Sequence, residues 1–241
     1  FTLTPMTEVN DVEAGSSHAL VLKTDGTAYA AGLNDKNQVI EDDKTRVNSF
    51  TKLSITNISS VFADERSSAV VNDAGYLYVW GDNDNAQLLD GTTESIVKPT
   101  RVATQVLSIA IGTGHSVVLK QNGVVSTAGL GMNGELFFYS AGSELKPVKV
   151  MSGGTKYAAG ADHAAAICDG DLYTWGNNDC GQLGLGDTIA RSKPQKVDLP
   201  AEAINVWCGE KCTFVQTDDM RMFVFGDNSN GMLGTTTKTT K

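Results

Sequence analysis

The sequence predicts an all-β chain, a β-propeller of about five four-stranded blades, and three observations carry that expectation. A short apolar run ending in glycine returns five times, at Gly32, Gly81, Gly129, Gly176 and Gly226, with spacings of 49, 48, 47 and 50 residues. A second marker stands fourteen residues ahead of each of these glycines, thirteen in the fourth copy, and a turn dipeptide lies between the two. No window sustains a 3.6-residue apolar period with caps, so no long helix is expected. A unit of this size cannot bury both faces of its own small sheet. It has to stack on neighbours, and radial stacking gives a propeller.

The elements follow in the same order in every copy. Each opens on Gly15-Ser16-Ser17-His18, Asp64-Glu65-Arg66-Ser67, Gly112-Thr113-Gly114-His115, Gly160-Ala161-Asp162-His163 or Gly209-Glu210-Lys211-Cys212. A short apolar strand comes next, such as Ala19-Leu20-Val21-Leu22 or Ser116-Val117-Val118-Leu119. The turn is Asp25-Gly26, Ala74-Gly75, Asn122-Gly123, Asp169-Gly170 or a degenerate Asp219-Met220, and Asp-Gly and Asn-Gly are strong hairpin signals. The returning strand is best seen in Tyr78-Val79-Trp80-Gly81 and Tyr173-Thr174-Trp175-Gly176. After it comes a loop whose fullest copy is Gly176-Asn177-Asn178-Asp179-Cys180-Gly181-Gln182-Leu183-Gly184. A Lys-Pro-x-x-Val element closes three copies, at Pro99 to Val102, Pro147 to Val150 and Pro194 to Val197. The expected organisation is one domain, 1–241, with repeats at 9–57, 58–105, 106–153, 154–202 and 203–241. Residues 1–8 would complete the last blade, so that N- and C-terminal strands pair and close the ring without exposed edges.

Composition narrows the function classes. Of 241 residues 41% are hydrophobic and 20% charged, which excludes a mainly disordered chain. No stretch approaches the roughly 20 apolar residues of a membrane-spanning helix. The net charge of -9 disfavours nonspecific contact with nucleic acid. Residues 1–105 hold 15 acidic against 8 basic side chains, whereas 106–241 hold 13 against 11. That imbalance reads first as a solvated face and second as a surface for a basic partner. Cys168, Cys180, Cys208 and Cys212 form no C-x-x-C pair and lie far from the three histidines, which argues against zinc. Buried thiols are expected, with a Cys208–Cys212 bridge as the lesser alternative. The chain begins at Phe1 with no leader-like segment, so either a leader has been removed or the sequence is part of something longer. Asn57-Ile58-Ser59 spells a glycosylation sequon, a pattern often met by chance.

These markers resemble the regulator of chromosome condensation repeat family, whose pattern runs Gly-x-x-His, Asp-Gly, Tyr-x-Trp-Gly, Asn-x-x-Gly-Gln-Leu-Gly and Pro-x-x-Val. The fourth copy matches nearly throughout, from Gly160 and His163 through Asp169-Gly170, Tyr173 to Gly176, Asn178 and Gly181 to Gly184, to Pro194 and Val197. The second and fifth lack the histidine. The first has Asn34 and Gln38 without Gly-Gln-Leu-Gly, and the third replaces Gln with Glu135. The resemblance covers essentially the whole chain. It implies propellers that usually have seven blades, against five repeats here. The chain is then either a closed five-bladed ring or a five-repeat part of a larger one.

The histidines read as structural, because His18, His115 and His163 hold one position in three repeats and no Ser or Cys completes a triad with them. Each is expected to bond the backbone of a neighbouring blade. Trp80, Trp175 and Phe225 are expected between blades; Trp207, on another strand, is read as core before contact surface. Asn34, Asn83, Asn178 and Asn228 are expected to bond their own turns. Asp82-Asn83-Asp84-Asn85 starts like a calcium loop, but Gln87 stands where the glycine belongs and Thr93 at the twelfth position. Gly129 to Gly134 spells G-x-G-x-x-G inside a repeat loop that opens no helix. No P-loop, H-E-x-x-H or G-x-S-x-G is present, so no enzyme, cofactor or metal is expected.

Function is therefore sought where repeats depart from their pattern. The departures are Lys36 to Arg46 with Glu41-Asp42-Asp43, Asp64-Glu65-Arg66, Phe137-Phe138-Tyr139, and Glu210-Lys211. The candidate partner-binding residues are Glu41, Asp42, Asp43, Asp64, Glu65, Phe137, Phe138 and Tyr139. The expected function is a non-enzymatic protein-binding scaffold, a structural, surface or assembly component. The resemblance also implies an alternative, guanine-nucleotide exchange on a small GTPase. The partner is a protein, with no nucleic acid and no membrane span. Thr-, Asn- and Asp-rich loops favour a secreted, surface or virion-borne setting over a cytoplasmic one.

Overall fold

The computed structural model describes residues 6–131, 134, 136 and 143–234. Among them are 19 strands and no helix, and every sheet pairs consecutive strands antiparallel. The first sheet holds β1 (Val9–Ala14), β2 (His18–Lys23), β3 (Ala28–Leu33) and β4 (Arg46–Lys52). The second holds β5 (Ile58–Asp64), β6 (Ser67–Asn72), β7 (Leu77–Gly81) and β8 (Ile96–Ala103). β9 (Val106–Ile111), β10 (His115–Lys120), β11 (Val125–Leu130) and β12 (Ser143–Met151) form the third. The fourth comprises β13 (Gly154–Ala159), β14 (His163–Cys168), β15 (Asp171–Gly176) and β16 (Arg191–Lys196). The fifth has three strands among the described residues, β17 (Ala203–Cys208), β18 (Cys212–Thr217) and β19 (Met222–Gly226). These sheets are the blades of a β-propeller, numbered 1 to 5 below.

Chain contacts divide the molecule into two units, Phe1–Asp84 with Thr92–Ile109, and Asn85–Gly91 with Ala110–Lys241. Blades 1 and 2 belong to the first. Blades 4 and 5 and nearly all of blade 3 belong to the second. The expectation of closure by both termini rests on residues 1–5 and 235–241, which lie outside the described residues. Glu8 is held by blade 1, its carbonyl accepting the Thr24 N–H at 2.9 Å.

The two sequence markers turn out to be cross-strand partners. His18 pairs Gly32, Ser67 pairs Gly81, His115 pairs Gly129, His163 pairs Gly176 and Cys212 pairs Gly226. Each glycine has φ between +101° and +125°, and a Cβ there would overlap the carbonyl oxygen just before its partner. That carbonyl accepts a bond from the residue after the glycine, as in Asn177 N–H to Asp162 O at 2.8 Å. Only glycine permits this close backbone approach.

The missing residue of the fourth copy is a change of turn. Blades 1 to 3 use three-residue turns with Gly26, Gly75 or Gly123 at positive φ. In blade 4, Cys168 pairs Asp171 directly across Asp169-Gly170, both at positive φ, which is the two-residue type I′ hairpin. Blade 5 returns to the longer turn with Met220 at φ 65° in the glycine's place.

The core lies between blades, because alternate residues of each inner strand face opposite neighbours. Ala164, Ala166 and Cys168 of β14 pack with Val117, Leu119 and Val125 of blade 3, beside Trp175. Ala165 and Ile167 of the same strand pack with Val206, Val215 and Phe225 of blade 5. Trp80 and Trp175 are wholly buried, while Trp207 is 48% exposed on β17 and is not a core residue. Blade 5 is the last of the five described, and Trp207 stands on the side of β17 opposite to Val206.

Candidate functional site

The buried polar groups form a device that joins adjacent blades. His163 Nε2 lies 2.9 Å from Thr213 Oγ1 in blade 5, and Thr213 Oγ1 donates to the carbonyl of Gln182, 2.8 Å away in blade 4. In blades 1 and 2, His18 Nε2 lies 2.9 Å from Ser68 Oγ, which donates to the Gln38 carbonyl at 2.7 Å. A hydroxyl has one proton, already given to the carbonyl, so each histidine is the neutral Nε2–H tautomer and donates. The histidine thus reaches a neighbour's side-chain hydroxyl as well as its backbone, at Glu65 and Ser67 for His18 and at Cys212 for His163. The glutamine is fixed by its own loop: Gln182 Oε1 accepts from Cys180 N–H at 2.9 Å and Gln38 Oε1 from Lys36 N–H at 2.8 Å. Asn178 and Asn34 hold the same loops, with their Oδ1 accepting from Leu183 and Val39 N–H at 2.9 Å.

The Gly-x-x-His spacing has a steric origin. A Cβ on Gly15, Gly112 or Gly160 would collide with the ring of the histidine three residues on. In blade 2 both members change together, to Asp64 and Ser67, which pair across β5 and β6. Burial lowers all three histidine pKa values, to about 4 for His115 and about 3 for His163. His115 differs, since among the described residues its ring meets no side-chain partner, only the backbone at Ala161 and His163, and blade 4 offers Ala164 where blades 2 and 5 offer Ser68 and Thr213. All three rings are buried.

The candidate contact residues that are described lie in the loops of the first unit. Glu41, Asp42 and Asp43 line a groove of about 700 Å³ with Asp35, Asn37 and the exposed Val97. Glu41 and Asp43 are exposed and enter no ion pair among the described residues. Asp42 is held by Lys44, whose backbone N–H and ammonium both lower its pKa. Asp35 meets Arg66 at 3.5 Å, which ties the groove to the Asp64-Glu65-Arg66 turn. Lys36 bridges Asp82 at 3.2 Å and Asp84 at 2.9 Å, so the cation nearest Asp35 in sequence is already neutralised. Glu65 is exposed, whereas Asp64 is half-buried and its carboxyl is pushed up to about 6, by burial first and by Glu65 second. Phe137, Phe138 and Tyr139 lie outside the described residues. Asp35 and Val97 escaped the sequence reading because they sit in ordinary repeat positions. Among the described residues no three His, Cys, Asp or Glu side chains group as metal ligands would. No helix there is long and apolar enough to cross a membrane.

Comparison with known proteins now bears on these features. Residues 74–119 and 169–216 match the model described as Regulator of chromosome condensation (RCC1) repeat, and residues 9–38 match a second model of the same description. Together the matches take in just over half of the chain. This chain belongs to the RCC1 repeat family. Among RCC1-repeat relatives, the human E3 ubiquitin-protein ligase HERC2 is 33% identical over 240 residues, covering 92% of this chain and 5% of HERC2. The ultraviolet-B receptor UVR8 of Arabidopsis thaliana is 29% identical over 243 residues, covering 94% of this chain and 54% of UVR8. The crystal structure of human WBSCR16 superposes with a TM-score of 0.87 at 18% identity, over 99% of this chain and 68% of that one. Yeast RCC1 (Prp20), solved with Kap60, gives 0.80 at 20% identity, over 92% and 56%. At these identities the structures establish the propeller fold alone.

Proposed function

We propose that this RCC1-repeat propeller is a non-enzymatic protein-binding scaffold that holds a basic segment of a partner in the groove beside Glu41, Asp42 and Asp43. The observation that carries the reading is the groove itself. Four carboxylates, those of Asp35, Glu41, Asp42 and Asp43, converge there with one exposed apolar side chain, Val97. Such a surface suits a Lys- or Arg-bearing chain that lays an aliphatic stem on Val97 and its charge among the acids. Glu65, beyond the Asp35–Arg66 pair, extends the acidic rim. Cys208, half-buried, has its thiol pushed up to about 12 by desolvation, far from a reactive thiolate. A structural, surface or assembly role is proposed together with it.

The test is binding of basic peptides by calorimetry, in low and raised salt. Glu41→Lys with Asp43→Lys should weaken binding at least tenfold and flatten its salt dependence. Unchanged affinity in that variant sinks the assignment of the groove. A second reading is guanine-nucleotide exchange on a small GTPase, favoured by the likeness to yeast RCC1, whose structural report names binding to Gsp1p and histones. An exchange factor would speed release of labelled GDP at substoichiometric amounts. No acceleration across a GTPase panel removes that reading.

A further inference from the structure

The cations of this acidic chain are segregated. The fourth strands of blades 1 to 4, which are β4, β8, β12 and β16, hold 9 of its 19 Lys and Arg. They hold 1 of its 28 Asp and Glu, Glu144 in β12. A chain with a net charge of -9 thus carries a positive surface as well as an acidic one.

Outside β12 these cations are engaged or dispersed. The Arg101 guanidinium of β8 lies over the Tyr76 ring, 4.9 Å from its centre. In β16, Arg191 meets Asp187 at 2.6 Å and Lys196 meets Asp171 at 2.7 Å. In β4, Arg46 and Lys52 stand at the two ends of the strand with no large apolar side chain exposed between them. β12 differs. Lys146 and Lys149 are both exposed and enter no ion pair among the described residues, and Leu145 beside them is 41% exposed. The acidic groove is the counterpart in charge, with Glu41 and Asp43 exposed and unpaired among the described residues and Val97 47% exposed.

We propose that the basic segment held by the groove is β12 of a second copy of this chain. The proposal rests on the reading of the groove given above and names its occupant. Leu145 lies against Val97 in this contact, and Lys146 and Lys149 meet Glu41 and Asp43. Two unlike patches pair, so a copy that has given its β12 still offers its groove, and further copies can add. Two chains of like net charge repel at long range, whereas this contact acts at short range. Salt of about 0.1 M, with a screening length of about 10 Å, damps the repulsion first; about 1 M salt, at about 3 Å, damps the contact too.

Sedimentation of the full chain over a wide concentration range tests this. At about 0.1 M salt the chain should form multimers, and about 1 M salt should weaken the association about tenfold or more. Lys146→Gln with Lys149→Gln should leave monomers, and so should Glu41→Gln with Asp43→Asn. Mixed together, these two variants should give a one-to-one dimer and nothing larger, because one intact groove and one intact β12 remain. Calorimetry with basic peptides separates this contact from the groove itself, since the variant altered in β12 should bind them at least as tightly as the parent. A parent chain that binds the peptides yet stays monomeric at every concentration overturns the proposal and leaves the groove reading standing. Multimers that persist in both variants, or a mixture that fails to pair, overturn it as well. Peptides that bind neither the parent nor the β12 variant remove the groove reading and this proposal with it.

Discussion

His163 and Thr213 meet at 2.9 Å across the seam between blades 4 and 5, and the hydroxyl between them passes its only proton to the Gln182 carbonyl. Three groups from two blades are thereby satisfied in a site without solvent. Removing the middle one leaves a buried donor and a buried acceptor behind.

Thr213→Val should therefore cost about 2–4 kcal/mol, since each stranded group carries a penalty of about 1–3 kcal/mol. Thr213→Ser keeps the hydroxyl and should stay within about 1 kcal/mol of the parent. Urea unfolding of the two variants side by side separates the hydrogen bonds from the packing of the methyl group.

Ala164→Ser should stabilise the chain by about 1 kcal/mol, because it gives the His115 ring the side-chain hydroxyl that His18 and His163 already have. A shift of the urea midpoint to higher concentration, absent when His115 is first changed to Ser, is the expected result.

Gly160→Ala should cost about 2–3 kcal/mol by forcing a methyl group into the His163 ring. In a His163→Ser background the same change should cost less, though not nothing, because the Gly209 carbonyl oxygen also stands 2.7 Å from the added methyl position. The coupling is read from a double-mutant cycle.

Met220→Gly should raise stability by about 0.5–1 kcal/mol, because a left-handed conformation costs a side-chain-bearing residue about 1–2 kcal/mol and Gly itself loses part of that in entropy. Met220 is 74% exposed, so little packing is given up. The melting temperature measures it.

Acid should weaken the fold below about pH 6.5. His115 and His163 are neutral in the folded chain down to about 4 and about 3, whereas unfolded histidine binds a proton near pH 6.5. The unfolded state then holds more protons, so stability falls with pH, on the order of 3 kcal/mol per ring by pH 4. Asp64 acts in the opposite sense. Its folded carboxyl, raised to about 6, takes up a proton before the unfolded one does and offsets part of the loss between pH 6 and 4. Asp64→Asn should accordingly be more stable than the parent at pH 7 and lose more on acidification, as unfolding midpoints across pH would show.

Legibility differed between fold and site for physical reasons. The Gly32 and His18 markers, and their copies, were readable because a hairpin pairs them directly and a positive φ admits only glycine. The Asn178 and Asn34 loops were readable because their bonds are local. Ser68 and Thr213 were not, since a hydroxyl beside a histidine position has no meaning until the neighbouring blade is placed against it. Trp207 misled for the same reason: a tryptophan on a strand is core only if something covers that side of the sheet. The groove was half visible, with Glu41, Asp42 and Asp43 plain in sequence and Asp35 and Val97 brought in by folding.

The hydroxyl clasp also fixes the order of the units. Blades 1 and 4 offer a histidine and a loop carbonyl forwards, and blades 2 and 5 a matching hydroxyl backwards, so the copies are unequal. Placing a duplicate of blade 4 after itself would set His163 against Ala164, and exchanging blades 4 and 5 would give His115 the Thr213 hydroxyl while leaving His163 without it. Shuffling, deleting or duplicating a repeat during gene recombination therefore changes seams as well as length. The sequence of blades is written into the interior, and neighbours are not interchangeable modules.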